Sequence, residues 1–114
     1  MLIRELDEVE RNEVEVEGAE GVYIRWLISE ETGAPNFAMR EFTIEAGGRT
    51  PYHSHDWEHE VYVLAGNGTV VSEEEETQLL PGSVVFVPGG EMHNFKNAGA
   101  EPFRFLCLVP LGAK

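Results

Sequence analysis

Short apolar or alternating segments recur along this chain of 114 residues, and clusters of glycine, proline, asparagine and serine separate them. Helical apolar spacing with helix caps is not found in any longer window, so the pattern predicts strands. The predicted strands are 22–28, 37–45, 59–65, 69–72, 77–80, 84–87, 92–96 and 103–109. Turns are predicted between them, one of which is 46–48. Evenly spaced short strands of this kind predict an all-β sandwich or barrel in a single domain.

Acidic residues far outnumber basic residues: 21 Asp and Glu against 8 Lys and Arg give a formal net charge of −13. Binding to nucleic acids or to anionic membrane surfaces requires clustered basic residues. We therefore exclude both as partners and expect a small-molecule substrate or ligand. The acidic run at 73–76 is predicted to be a solvated hairpin tip, with an interaction patch as the alternative.

The sequence predicts a cytoplasmic protein. Cys107 is the only cysteine, so an intrachain disulfide is impossible, which is typical of reducing compartments. No segment has the length and apolarity of a signal peptide or of a membrane-spanning helix. Residues 1–20 are polar and acidic, and two placements stay open for them: an edge strand, or a segment lying over the barrel of a partner subunit.

Four histidines form the most informative pattern. His53, His55 and His59 lie close together, and His93 follows 34 residues after His59. Neutral imidazole is the commonest protein ligand for divalent transition metals. Side chains alternate along a strand, so His53 and His55 face one way, and His59 joins them if the strand direction survives the turn at 56–57. A metal site is therefore predicted; surface histidines and a pH-sensing cluster are the alternatives.

Two motifs resemble those of the cupin superfamily. The first spans 47–66 and contains His53-x-His55; the second spans 82–97 and contains Pro88-x-Gly90-x2-His93. Segments 35–37, 53–60 and 105–110 further resemble the small four-histidine, manganese-containing cupins of thermophilic bacteria. The resemblance implies that residues 1–114 form one cupin jelly-roll β-barrel, RmlC-like and often a homodimer. It also implies one divalent metal ion per chain, held by His53, His55, His59 and His93.

His59 stands where cupins usually carry a glutamate. The resemblance therefore extends poorly to the activities of those oxidases, decarboxylases and dioxygenases that use three histidines and one glutamate. The alternative is that Glu60, one residue further along the chain, binds the metal in place of His59. Strand parity and the six residues between His59 and Gly66 both favour His59.

Four neutral imidazoles would leave a divalent ion with its full positive charge. Open coordination positions would then attract hydroxide, an enolate or a carboxylate. Manganese and iron are favoured by the resemblance alone, and copper, nickel and zinc also accept imidazole. A closed tetrahedral zinc site with a purely structural role is the alternative.

Strand alternation predicts which residues line the cavity beside the metal. Phe105, Cys107 and Val109 share one face of the strand 103–109, whereas Arg104 faces water. Cys107 is predicted to be a small buried apolar residue, with oxidation by the metal site as the alternative. Trp57 either covers the cavity mouth or packs in the turn between the ligand-bearing strands, and the sequence does not choose.

The leading hypothesis is a metal-dependent oxidoreductase, dioxygenase-like, acting on a small organic molecule. It rests on a redox-capable ion with open positions inside an apolar barrel. The alternatives are a non-catalytic module that binds a small molecule or metal, and an isomerase or lyase in which the ion is a Lewis acid. The sequence contains no visible nucleophile triad and no glycine-rich phosphate loop, so catalytic side chains stay unassigned.

Overall fold

The computed structural model describes residues 1–73 and 75–112, and in them the chain forms strands and two short 3-10 helices. The all-β prediction is confirmed, and the chain is a single small domain. The helices are Leu6–Glu8 and Glu30–Thr32. The strands are β1 Asn12–Glu13, β2 Glu20–Ile28, β3 Phe37–Arg49, β4 His59–Ala65, β5 Gly68–Val71, β6 Glu76–Leu79, β7 Val84–Val87, β8 Asn94–Asn97 and β9 Phe103–Pro110.

The strands form one curled antiparallel sheet in the order β6-β5-β8-β3-β9-β4-β7. Strand β2 pairs with β3, and β1 pairs with β2. Most neighbours in the sheet are distant in sequence; β3, for example, pairs with β9 along eight residue pairs. This order is that of a jelly roll, in which the sheet curls around its own inner face. The side chains of that face form the core.

Alternating burial along β4 and β9 defines the inner face of the sheet. In β4, His59, Val61 and Val63 are buried while Glu60 and Tyr62 are exposed. In β9 every second residue is buried, from Phe103 to Val109. The parity predicted for both strands is confirmed, because a strand with one solvated face repeats every two residues. Inside, the ring of Phe105 packs against those of Phe42, Phe95 and Phe103.

The turn predicted at 46–48 is wrong: β3 continues through these residues to Arg49. The pairing of β2 with β3 shifts register between Glu20 and Val22, so the two strands form a bulge here. Gly47 has a φ of +81°, and a Cβ on Gly48 would collide with the carbonyl oxygen of Glu20. The glycines therefore serve a bulge and a close approach of two backbones, and not a chain reversal.

The N-terminal segment contributes an edge to the sheet. Asn12 and Glu13 pair with Ile24 and Tyr23, which places β1 beside β2. Within the described residues no helix is long and apolar enough to cross a membrane. At the predicted acidic tip, β5 and β6 form a hairpin, and residue 74 of the run 73–76 lies outside the described residues.

Candidate metal centre

Backbone pairing brings the two halves of the histidine pattern together. His53 and His93 form an isolated antiparallel bridge: each N–H donates to the carbonyl of the other, at 3.1 and 2.9 Å. A second link is the hydrogen bond of 2.7 Å from the Gly90 N–H to the His55 carbonyl. Gly89 is required in this turn, because a Cβ there would collide with the carbonyl oxygen of Asp56.

Three imidazoles converge at this bridge. One ring nitrogen from each of His53, His55 and His93 lies within 4.8 Å of the others, so these residues could hold a metal ion. Their ring centroids are 5.0 to 5.2 Å apart, and the rings meet edge to face. His53 is the exposed member of the group, which leaves one side of the cluster open to solvent.

The hydrogen bonds of two rings select the nitrogen that faces the cluster. The Nδ1 of His55 lies 2.9 Å from the carbonyl oxygen of Trp57, and the Nδ1 of His93 lies 2.8 Å from that of Glu91. A carbonyl oxygen only accepts hydrogen bonds, so each Nδ1 carries the proton and each Nε2 keeps a lone pair. This arrangement orients metal-ligating histidines and raises their basicity.

His59 lies at the edge of this group, at the start of β4. Its Nε2 is 2.8 Å from the Nε2 of His55, and its ring centroid is 5.2 Å from that of His93. Its Nδ1 faces the Sγ of Cys107 at 3.3 Å and a guanidinium nitrogen of Arg40 at 3.4 Å. The structure thus brings all four histidines together, with three in mutual reach of one ion and His59 adjacent to them.

Desolvation keeps His53, His59 and His93 neutral. Burial, the positive charge of Arg40 and repulsion from the neighbouring histidines together lower the pKa of His59 to about 3. Burial likewise lowers the pKa of His53, as does repulsion from His93 and His55. Burial lowers the pKa of His93, and the bond to the Glu91 carbonyl opposes that shift. Neutral rings at neutral pH are the form in which histidine binds a metal.

No carboxylate belongs to the three-histidine group in the part of the chain that the structure describes. Glu60 is exposed on the outer face of β4, opposite Phe86 of β7. The alternative that Glu60 binds the metal in place of His59 is therefore wrong, because adjacent residues of one strand point to opposite faces.

The histidines lie on the wall of a cavity of about 1390 Å³. The four residues that the sequence predicts beside the metal site also line this cavity: Trp57, Phe105, Cys107 and Val109. The ring of Trp57 stacks on that of His55 at 4.4 Å and 7°, so the tryptophan supports a candidate ligand directly. Cys107 is 2% exposed, and burial raises the pKa of its thiol although the charge and hydrogen bond of Arg40 oppose that shift.

Arg40 is the cavity residue that the sequence reasoning missed. It lies in β3 directly opposite Cys107 of β9, and its Nη2 is 3.0 Å from the Cys107 Sγ. It lines the cavity together with its neighbours of the same strand parity, Ala38 and Phe42. That parity was the available signal: an arginine at an inward position among apolar residues.

A family model described as Cupin domain matches residues 40–109. The polyketide cyclase RemF from Streptomyces resistomycificus is 35% identical with a TM-score of 0.91, over 96% of this chain and 79% of that one. A predicted oxalate decarboxylase from Thermotoga maritima is 27% identical with a TM-score of 0.81, over 97% and 99%.

Curated relatives are similar over a part of their length. Glucose-6-phosphate isomerase of Pyrococcus abyssi is 36% identical over 85 residues, which are 69% of this chain and 43% of that protein. The chain spans about half the length of the first curated relatives that it matches. These similarities concern proteins of several different activities.

Proposed function

Because the chain belongs to the cupin family, we propose that it is a metal-dependent enzyme whose histidine cluster binds one divalent ion for chemistry on a small carbonyl compound. A single observation carries this proposal: His53, His55 and His93 present ring nitrogens within 4.8 Å of one another on the wall of a cavity that Phe105 and Val109 also line. When bound, the ion would supply a Lewis acid.

We propose His59 as the fourth ligand. Its Nε2 already lies 2.8 Å from that of His55, so it is within reach of the same ion. His59 would bind the ion through the lone pair of its Nε2. Its ring proton would then be on Nδ1, which would donate to the Cys107 sulfur and would no longer accept from Arg40. The donor set is then four neutral nitrogens, which suits borderline transition metals and selects no single one.

The other cavity residues would bind and shield the substrate. Phe105 and Val109 of β9 provide an apolar wall, and Trp57 extends that wall over the His55 ring. Such a surface packs the hydrocarbon part of a ligand and excludes water from the reacting oxygen. The exposed side of the cluster, at His53, leaves room for the substrate to enter.

Non-redox carbonyl chemistry is favoured over oxidation because of the similar proteins. The cyclase is named for ring closure and the isomerase for isomerisation, and neither conversion by itself needs an oxidant. The second candidate is a dioxygenase-like oxidoreductase. It is compatible with the neutral nitrogen set, which accepts manganese and iron as well as zinc, although with lower affinity.

Metal content tests the site itself. We expect about one divalent ion per chain in tag-free protein, measured by elemental mass spectrometry, and loss of most of it in His93→Ala. Glu60→Gln is the matched control: it changes a neighbour of His59 on the outer face and should keep the ion. Full metal in His93→Ala, or none in the wild type, would contradict the proposal.

Metal exchange separates the two chemistries. Protein reloaded with zinc, which has no redox chemistry, should accelerate exchange of α-protons for deuterium in a panel of small ketones and keto acids, followed by NMR. Activity with manganese or iron alone, accompanied by oxygen uptake, would favour the oxidoreductase and count against the proposal.

A further inference from the structure

Arg40 extends the site beyond the histidines. Its Nη2 lies 3.0 Å from the Sγ of Cys107 and 3.4 Å from the Nδ1 of His59. The guanidinium therefore contacts His59, which is adjacent to the three-histidine group, and it lines the same cavity. Its planar group lies near the rings of Phe42 and Trp26, at 4.9 and 5.5 Å, and these contacts hold it in place.

The charge of Arg40 has no carboxylate partner among the described residues. Four other arginines each have a carboxylate within 4.0 Å: Arg11, Arg25, Arg49 and Arg104. Arg40 has none, and its buried Nε lacks any hydrogen-bond partner. Desolvating a guanidinium without a counter-charge is costly, so an unpaired arginine inside a cavity needs an explanation.

The present acceptors of Arg40 are weak. A thiol sulfur accepts hydrogen bonds poorly, and the Nδ1 of His59 is at a long 3.4 Å. A carboxylate or enolate oxygen is a far better acceptor for a guanidinium and matches its fork geometry. Exchange of the thiol contact for an oxyanion would therefore be favourable.

The charged residues that line the cavity differ in exposure. The carboxylates Glu10, Glu17, Glu30 and Glu31 are exposed, as is Arg4, whereas Arg40 is half-buried next to the histidines. The histidine side of the cavity therefore carries an unpaired positive charge, which favours a ligand that places its anionic end there.

We propose that Arg40 recognises the anionic oxygen of the substrate, and that the substrate class is small carboxylates or enolate-forming carbonyl compounds. This inference rests on the proposed function, in which the same ligand reaches the metal ion. Arg40 is then a specificity-determining residue: it selects anionic ligands over neutral ones of equal shape.

Malonate and its neutral isostere malonamide are the probes. Calorimetric titration of the zinc-loaded protein should give a malonate affinity that falls about tenfold or more in Arg40→Gln, with binding of malonamide unchanged. Arg49→Gln is the matched control, because it removes the same charge from a surface ion pair with Glu20. Arg40→Lys should be intermediate, since it keeps the charge and loses the fork.

An equal loss in Arg49→Gln would mean that only long-range charge matters, and would overturn the inference. So would unchanged malonate affinity in Arg40→Gln that still carries its zinc.

NMR distinguishes these results from failure of the metal site. The Arg40 Nε–H cross-peak, assigned by its absence in Arg40→Gln, should shift with malonate and not with malonamide, in metal-free protein as well. No shift in either form would refute the anion site; a shift without any zinc binding would refute only the metal-dependent function.

Discussion

At the scale of single residues, two backbone carbonyls decide how the candidate ligands can act. The carbonyls of Trp57 and Glu91 fix the protons of His55 and His93 on Nδ1. His59 differs from both, because its Nδ1 faces a thiol and a guanidinium. The three-histidine group is therefore preorganised by the main chain, while the position of His59 depends on side chains of β3 and β9.

The lowered pKa of His59 has a consequence for stability. Because its folded pKa of about 3 is below the ordinary 6.5, the unfolded chain binds more protons between these values. Stability contributed by neutral His59 is thus present above pH 6.5 and is lost as the pH falls toward 3. We expect the free energy of unfolding, measured by chemical denaturation of metal-free protein, to fall between pH 7 and 4 for both proteins. The fall should be about 1–3 kcal/mol smaller for His59→Gln than for the wild type.

The carboxylates titrate in the same range, but they are shared by both proteins, so the difference isolates His59. Parallel pH profiles for the two proteins would show that the ring is already charged, or equally solvated, in the folded state.

At the scale of secondary-structure elements, the long strand β3 organises the molecule. It pairs with β2 along one edge and with β9 and β8 along the other, so it joins the N-terminal edge to the cavity wall. Its Glu41 is 3% exposed and accepts hydrogen bonds from the Nε and Nη2 of Arg104 in β9, at 2.9 and 2.6 Å. Both N–H groups bind the same buried carboxylate oxygen, and this ion pair links the two strands on the face opposite Arg40 and Cys107.

The bulge at the end of β3 predicts that adding one methyl group at Gly48 lowers the stability of the fold. Gly48→Ala would drive a Cβ into the Glu20 carbonyl, which belongs to a paired strand and cannot move freely. We expect a loss of about 2–3 kcal/mol in the free energy of unfolding, measured by urea denaturation. Gly99→Ala is the control, because its nearest new neighbour is the Cβ of Asn67 at 3.3 Å. Equal stability of both variants would show that β2 and β3 can separate at the bulge.

The sequence predicts some strands correctly and others wrongly. Periodicity was sufficient for β4 and β9, since both alternate cleanly between core and solvent. It failed at Gly47 and Gly48, because glycine is common both in turns and in bulges and only the neighbouring strand distinguishes them. The proximity of His93 to His53 was predicted from family resemblance alone, because no local sequence pattern encodes a bridge between distant residues. Arg40 was missed because an inward arginine is recognised only when its surroundings are known.

At the scale of the whole molecule, a strongly acidic chain carries a histidine group that includes no carboxylate among the described residues. The chain has a net charge of −13, yet the three-histidine group contains no acidic residue. Surface acids draw divalent cations toward the protein, and neutral imidazoles then select those that prefer nitrogen. Calcium and magnesium should therefore bind weakly at the cluster, because they prefer oxygen ligands. The homodimer expected from family resemblance stays a prediction for solution measurement.

Metal binding should stabilise the entire fold. An ion that binds the native state and not the unfolded chain adds stability by mass action, about 4 kcal/mol when its free concentration is a thousand times its Kd. We expect zinc to raise the Tm of the wild type by several degrees in differential scanning calorimetry, and a chelator to reverse that rise. His53→Ala with His93→Ala should remove the response, whereas Arg49→Gln should retain it. A response that survives loss of both histidines would place the ion elsewhere.

The bridge between His53 and His93 also sets a time for the site to appear during protein synthesis. Each of these residues holds the backbone of the other, and neither can do so until the ribosome has released the chain past residue 93. A nascent chain that ends earlier carries three of the four histidines on an open segment without its partner. The chain must therefore extend past residue 93 before the proposed metal site can form, so translation products that stop before His93 would lack the bridge that holds the site.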